Sequence, residues 1–398
     1  MSRARAPPAA GERTSRGPLD LFVVAVAPPV IRRLLQRNIR LGGIVRSARR
    51  ASTLRCPAQG REMLEMREHA HRLAEQILDF WFGSAGGWDR ASVPPPDVEA
   101  RWWNGGDTLD GELTRRYGPH LIAAATLFED EKQRAMTLPP DELTDAQQRL
   151  LDAERASAER GVPPPPVLRR SSTAEVDAKD GSDKHEHASQ AILELARPFM
   201  QHDPACSPDR TDSRERIRHR LALVILLDQF SRNIYRGGPS AFAFDRFACP
   251  LVMQLLNSEG ALAKEYTDRL APFELFFLLM PLEHSEIPTE QAAGVELTRQ
   301  LLQQVQTSEA RASESPTVRY FSEVLHDKVG RAELVQRFGR YPPRNESLGR
   351  ESTPDEAEYL EARRKAMEDG AAMGKDQSNY IHLPPQAAAG TTSGGSKL

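Results

Sequence analysis

The sequence predicts an all-α fold, and three features carry that prediction. Apolar residues recur at helical spacing in every stretch of structured character. No alternating apolar–polar run of useful strand length interrupts them. The stretches are bounded by helix punctuation, with Gly83, Gly237-Gly238-Pro239 and Gly339 as stops and Pro272 and Thr353-Pro354 as starts. No sequence repeat of fixed period is strong enough to define a solenoid by itself.

Charge separates the ends from the body. The 398 residues carry a net charge of −3, but residues 1–60 hold twelve arginines, no lysine and only Glu12 and Asp20 as acids. That tail is +10 and the remainder −13. An acidic body is a poor partner for nucleic acid, whose binding rests on neutralising phosphates. Cys56, Cys206 and Cys249 show neither disulfide nor zinc spacing and fit a reducing compartment. No segment approaches the roughly 20 apolar residues of a spanning helix; the nearest, Leu21 to Ile31, is broken by Pro28-Pro29. The expectation is a soluble protein with no nucleic-acid partner, no membrane span and no metal site.

In chain order, residues 1–60 read as a basic disordered tail or a transit peptide. Ile31 to Leu41 places Arg33, Arg37 and Arg40 on one helical face and Ile31, Leu34 and Leu35 on another, as mitochondrial presequences do. Residues 61–373 read as a single all-α domain. Its first helix starts near Glu62 and runs through Phe80-Trp81-Phe82 to Gly83; a glycine- and proline-rich loop, Trp102-Trp103 and a helix from Asp110 to Phe128 follow. The aromatics at 80–82, 88 and 102–103 are expected in the core. Residues 131–190 read as an insertion, with a charged helix over Asp141 to Arg160 and a flexible surface segment at about 161–188.

Three polar nodes leave the apolar helices beyond Ala191. In the first, Leu223, Leu226, Leu227, Phe230 and Ile234 form a core stripe, while a second apolar stripe runs into Asp228, Arg232 and Arg236. Asp228 and Arg232 stand four apart and can pair, as can Gln229 and Asn233. Charges in such a setting are costly unless paired or used. The second node, Glu283-His284-Ser285-Glu286, follows the apolar run Phe273 to Met280. There Pro281 is expected to kink or end the helix and aim the polar residues away from the core. In the third, Arg337, Arg340, Arg344 and Arg350, with Asn345, leave a helix that stops at Gly339 and enter a proline-stiffened loop. Arginine suits bidentate contacts with carboxylate or phosphate. Two readings stay open: the arginines pair with Asp228, Glu283 and Glu286, or they bind an anion. A last helix starts at Thr353 with Glu356 completing a capping box. Residues 374–398 read as a flexible tail.

That tail ends in Ser396-Lys397-Leu398, the form of a peroxisomal import signal read by its receptor. The expected address is the peroxisome, with the mitochondrion or dual targeting as the alternative.

Four stretches carry a family resemblance: Ile77–Gly83, Leu227–Arg236, Phe277–Glu286 and Arg337–Asn345. In this order they resemble the domain of unknown function 924 family, over about 77–129 and 191–368. The resemblance implies a tetratricopeptide-like array of antiparallel helix pairs; the family has no established activity, so it assigns no catalytic residue and no cofactor. Pro343 stands where the family often has a histidine, and a second family histidine is missing near Arg331.

Two functions are therefore expected to compete. In one, Asp228, His284 and Glu286 supply acid–base chemistry in a pocket. Gln229, Arg232, Asn233, Arg236, Glu283, Arg337, Arg340, Arg344 and Asn345 would hold a small anionic ligand there. In the other, the chain is a scaffold for a partner peptide and the nodes are structural. The first requires the nodes to converge on one solvent-reachable site, and it fails if carboxylates seal the arginines.

Overall fold

The computed structural model describes residues 57–83, 88–103, 106–166, 188–196, 213–256, 260–308 and 315–372, with side chains described from Glu65 to Asp369. The expected N-terminal tail up to residue 56, the flexible segment at 167–187 and the tail ending in Ser396, Lys397 and Leu398 lie outside the described residues. The described residues contain no strand, only an isolated bridge between Leu256 and Leu262.

Helix α1 (Pro57–Phe82) starts a turn before the expected Glu62 and ends at Gly83, whose φ of 79° is the left-handed conformation glycine adopts without strain. Helices α2 (Pro96–Trp103) and α3 (Asp107–Met136) follow. Helix α4 (Asp145–Glu159) opens with a capping box between Thr144 and Gln147. Residues 188–196 form α5. Helix α6 (Ser213–Ile225) passes through a π-helical turn, Leu226–Phe230, into a last α-turn, Ser231–Ile234. Then come α7 (Asp245–Met253), α8 (Lys264–Thr267), α9 (Pro272–His284), α10 (Pro288–Ser308), α11 (Pro316–Phe338) and α12 (Pro354–Ala372).

The core is built on α6 and α9. Helix α9 is buried from Phe273 through Leu282, on every face, because its sequence is apolar all round. It packs on α6, α7 and α10, and α10 packs on α11. Trp81, Phe82, Trp102 and Phe277 interlock, with the rings of Trp102 and Phe277 4.6 Å apart edge to face and Trp102 Nε1 donating to the Trp81 carbonyl at 2.8 Å. Such ring pairs add about 0.5–1.5 kcal/mol each beyond the area they bury. The expected aromatic core holds for these residues but not for Trp103, which is 45 % exposed, nor wholly for Phe80 and Trp88, which pack only partly against it.

Two expectations are corrected here. The insertion read over 131–190 carries its expected charged helix as α4, and the described start of the segment read as flexible, at Val162 and Pro163, is held against the body. Ala146, Leu150 and Ala153 are buried, and the buried Arg246 of α7 binds both Glu154 oxygens at 2.8 Å and the Val162 and Pro163 carbonyls at 2.9 and 2.6 Å. This segment is held by one guanidinium more than by an apolar stripe, so hydrophobic periodicity understated it. Second, α9 does not end at Pro281 but runs on to His284. Burial on three neighbouring helices offsets the roughly 3 kcal/mol an internal proline costs, so the residues after it turn inward, not away.

Candidate functional site

The π-helical turn sets the geometry of the first node. One widened turn changes the register of the backbone ladder, and the next turn supplies side-chain donors to its carbonyls: Ser231 Oγ to Leu227 (2.6 Å), Arg232 Nη1 to Asp228 (2.7 Å) and Asn233 Nδ2 to Gln229 (2.9 Å). Asp228 is thereby fixed in the core with no exposed surface. Its carboxylate accepts from Gln229 Nε2 at 2.5 Å, Arg232 Nη1 at 3.0 Å and His284 Nδ1 at 2.8 Å. Burial pushes the Asp228 carboxyl up, but Arg232 and His284 outweigh it and hold it at about 2. The His284 imidazole is pushed below its usual value by burial and by Arg232, against the pull of Asp228. It is therefore neutral at neutral pH, donating Nδ1–H to the carboxylate.

The second and third nodes converge on this pair. Arg232 also binds Asp245 of α7 at 2.7 Å, and Arg344 reaches the other Asp245 oxygen at 3.2 Å while donating to the His284 carbonyl at 2.8 Å. The Arg344 guanidinium lies over the Phe242 ring at 4.5 Å. Glu286 accepts two bonds of 2.9 Å from Arg350 and one of 2.7 Å from the Tyr341 amide, which hold its carboxyl low against its burial. Glu283 faces α11, where the buried Lys328 lies 3.3 Å and Arg331 3.6 Å away. Burial raises the Glu283 carboxyl, but Lys328 and Arg331 bring it below its usual value, while burial depresses the Lys328 ammonium against the pull of Glu283.

The remaining candidates lie apart from that assembly. Arg340 makes a bidentate pair with Glu356 of α12 at 2.7 and 2.6 Å, and the Glu356 carboxyl, held mainly by this guanidinium, sits at about 2. Asn345 donates to Ser352 and Glu356. Arg236 is exposed and binds Asp110 of α3 at 2.7 and 3.1 Å. Arg337 is exposed and stacks on its neighbour Phe338. The nodes thus converge, but Arg232, Arg340, Arg344 and Arg350 are closed by carboxylates of the same chain. Of the two open readings for the loop arginines, one paired them with Asp228, Glu283 and Glu286; of these pairings only that with Glu286 occurs, through Arg350, while Arg344 takes Asp245 and Arg340 takes Glu356. Asp245 and Lys328 escaped the sequence reading, since neither lies in one of the three nodes. Glu356 was read only as a cap, a role it also fills by accepting from the Thr353 amide at 2.8 Å.

Two open clefts lie elsewhere. One of about 740 Å³ is lined by α1, α2 and α3, including Asp79, Phe80, Asp97, Arg101, Glu112 and Arg116. The other, of about 490 Å³, is lined by Trp88, Arg90, Arg214, Arg218, Arg269 and Glu274. Neither includes a residue of the three nodes. No described helix is long and apolar enough to cross a membrane.

A family model described as "Bacterial protein of unknown function (DUF924)" matches residues 172–364. Among curated proteins and among solved structures nothing matches. The matched region contains all three polar nodes and leaves out only the first of the four motifs, Ile77–Gly83. On that match, residues 172–364 are similar to the domain of unknown function 924 family, which agrees with the resemblance carried by the sequence motifs.

Proposed function

We propose that the chain is a helical interaction scaffold, in which the polar nodes lock helices together and recognition falls to the cleft between α1, α2 and α3. The observation that carries this reading is the closure of Arg232, Arg340, Arg344 and Arg350 by Asp228, Asp245, Glu286 and Glu356. An incoming phosphate or carboxylate would have to displace a buried ion pair to reach them, leaving a carboxylate unpartnered at a cost of several kcal/mol. The cleft, by contrast, offers an aromatic floor under mixed charge. The guanidinium groups of Arg101 and Arg116 lie 5.7 and 5.1 Å from the Phe80 ring, with Asp79, Asp97 and Glu112 around them. Rigid aromatics with charged rims are what peptide-binding surfaces use.

The test is a paired screen of the full chain. Thermal shift against phosphorylated and carboxylated metabolites is expected to be flat. A displayed random-peptide library is expected to yield binders that lose at least tenfold in affinity on the charge swap Asp79→Lys with Arg116→Glu. A metabolite that raises the melting temperature dose-dependently in wild type but not in Arg344→Lys would overturn the scaffold.

One observation favours a second reading. His284 is neutral, its Nδ1 is spent on Asp228, and no described residue bonds its Nε2. A carboxylate-oriented imidazole of this kind is the arrangement of a general base. The same screen decides it, through a ligand whose stabilisation disappears in His284→Gln.

For location we propose peroxisomal import through Ser396-Lys397-Leu398. Residues 387–398 fused behind a fluorescent protein are expected to give punctate peroxisomal signal, lost when Leu398 is changed to Asp. Import of a fusion carrying residues 1–60 into mitochondria instead would favour the N-terminal address.

A further inference from the structure

We infer that His71, Glu215 and His219 form a transition-metal site, of the zinc type, that clamps α1 to α6. Glu215 and His219 stand one helical turn apart on α6, so both side chains project on one face. His71 meets them from α1, which packs along α6. The same three atoms close a triangle: His71 Nδ1 to Glu215 Oε1 is 3.6 Å, His219 Nε2 to Glu215 Oε1 is 3.6 Å, and His71 Nδ1 to His219 Nε2 is 3.4 Å. The triangle's in-plane centre lies roughly 2.0 Å from each atom, so an ion drawn slightly out of the plane toward a fourth ligand stays close to the roughly 2.0–2.2 Å of Zn²⁺ bonds to imidazole nitrogen and carboxylate oxygen. Two imidazoles and one carboxylate are a borderline-soft donor set that suits zinc and its neighbours over calcium or magnesium.

The surroundings favour the assignment. One turn along α1 from His71, Glu75 accepts two bonds of 2.7 and 2.6 Å from Arg218, which lies between Glu215 and His219 on α6, and this pair fixes the register between α1 and α6. Arg218 also lies 3.6 Å from Glu274, so its charge is matched by two carboxylates. Arg72 is turned toward Glu68 at 3.7 Å. The His219 side chain is buried, while His71 is about half exposed. Three protein ligands with one open side leave the fourth tetrahedral position to water, the arrangement in which zinc lowers the pKa of that water.

The competing explanation is a plain hydrogen-bonded histidine pair beside a carboxylate. Chelator-treated full-length protein titrated calorimetrically with Zn²⁺ separates the two, with Co²⁺ absorption reporting geometry. The site is expected to take one equivalent per chain and to give the intense visible bands of four-coordinate Co²⁺. His71→Ala, Glu215→Gln and His219→Ala should each weaken binding by more than about 100-fold, beyond the 10–100-fold typical of losing an outer-shell partner. Because His71 is half exposed, His71→Ala is expected to keep the wild-type circular dichroism. Binding that survives His71→Ala and Glu215→Gln would overturn the assignment, as would octahedral Co²⁺ bands or no binding at all.

Discussion

Asp228 has no exposed surface, yet its two oxygens accept from an amide, a guanidinium and an imidazole. The companion imidazole gives a pH signature. His284 is held below its usual value in the folded chain, whereas unfolded histidine titrates near 6.5. Below about pH 6.5 the unfolded chain therefore takes up a proton that the folded chain refuses, and the stability contributed by the neutral ring is lost as pH falls through its folded value. Urea denaturation of wild type and His284→Gln at pH 8 and pH 5 checks the sign, with the advantage of wild type expected to shrink at pH 5. An advantage that grows at pH 5 would mean an imidazolium paired with Asp228. At this scale the sequence was partly readable. The i,i+4 spacing announced the Asp228–Arg232 pair, but Asp245 lies in an ordinary amphipathic helix, and nothing local marks it as the acid shared by Arg232 and Arg344.

At the scale of helices, the π-helical turn and one glycine fix how the assembly closes. Gly294 of α10 faces α9 so closely that a β-carbon there would sit 3.0 Å from Leu282 Cβ. Gly294→Ala is expected to force α10 away from α9 and destabilise the fold by about 1–3 kcal/mol, the range for overpacking a close contact. Chemical denaturation measures it, and a neutral or stabilised variant would show that the two helices separate freely. The helices themselves were legible from periodicity and from the stops at Gly83 and Gly339, both with positive φ as a helix C-cap prefers. The wide turn was not, because Leu226 to Phe230 has the same apolar spacing in an α-helix as in a π-helix. Nor was the passage of α9 through Pro281, since local propensity does not register how completely neighbouring helices enclose that segment.

Across the whole chain, ion pairs join residues far apart in sequence: Arg246 to Glu154, Arg344 to Asp245, Arg350 to Glu286, and Arg236 to Asp110. These bonds bring the segment after α3, the arginine loop and α7 onto the apolar frame of α6 and α9. The all-α class was legible because the amphipathic stretches share the helical period and none of the described stretches alternates as a strand does. The choice between pocket and scaffold was not, because it depends on which acid meets which arginine, a property of the packed molecule. Equilibrium urea unfolding of Asp228→Asn tests the structural role of the nodes most directly. A structural node predicts a loss of roughly 3–5 kcal/mol, the range for breaking a buried pair from one side, with an unchanged dependence on urea concentration. A variant as stable as wild type would contradict it and return Asp228 to the chemistry of a binding site.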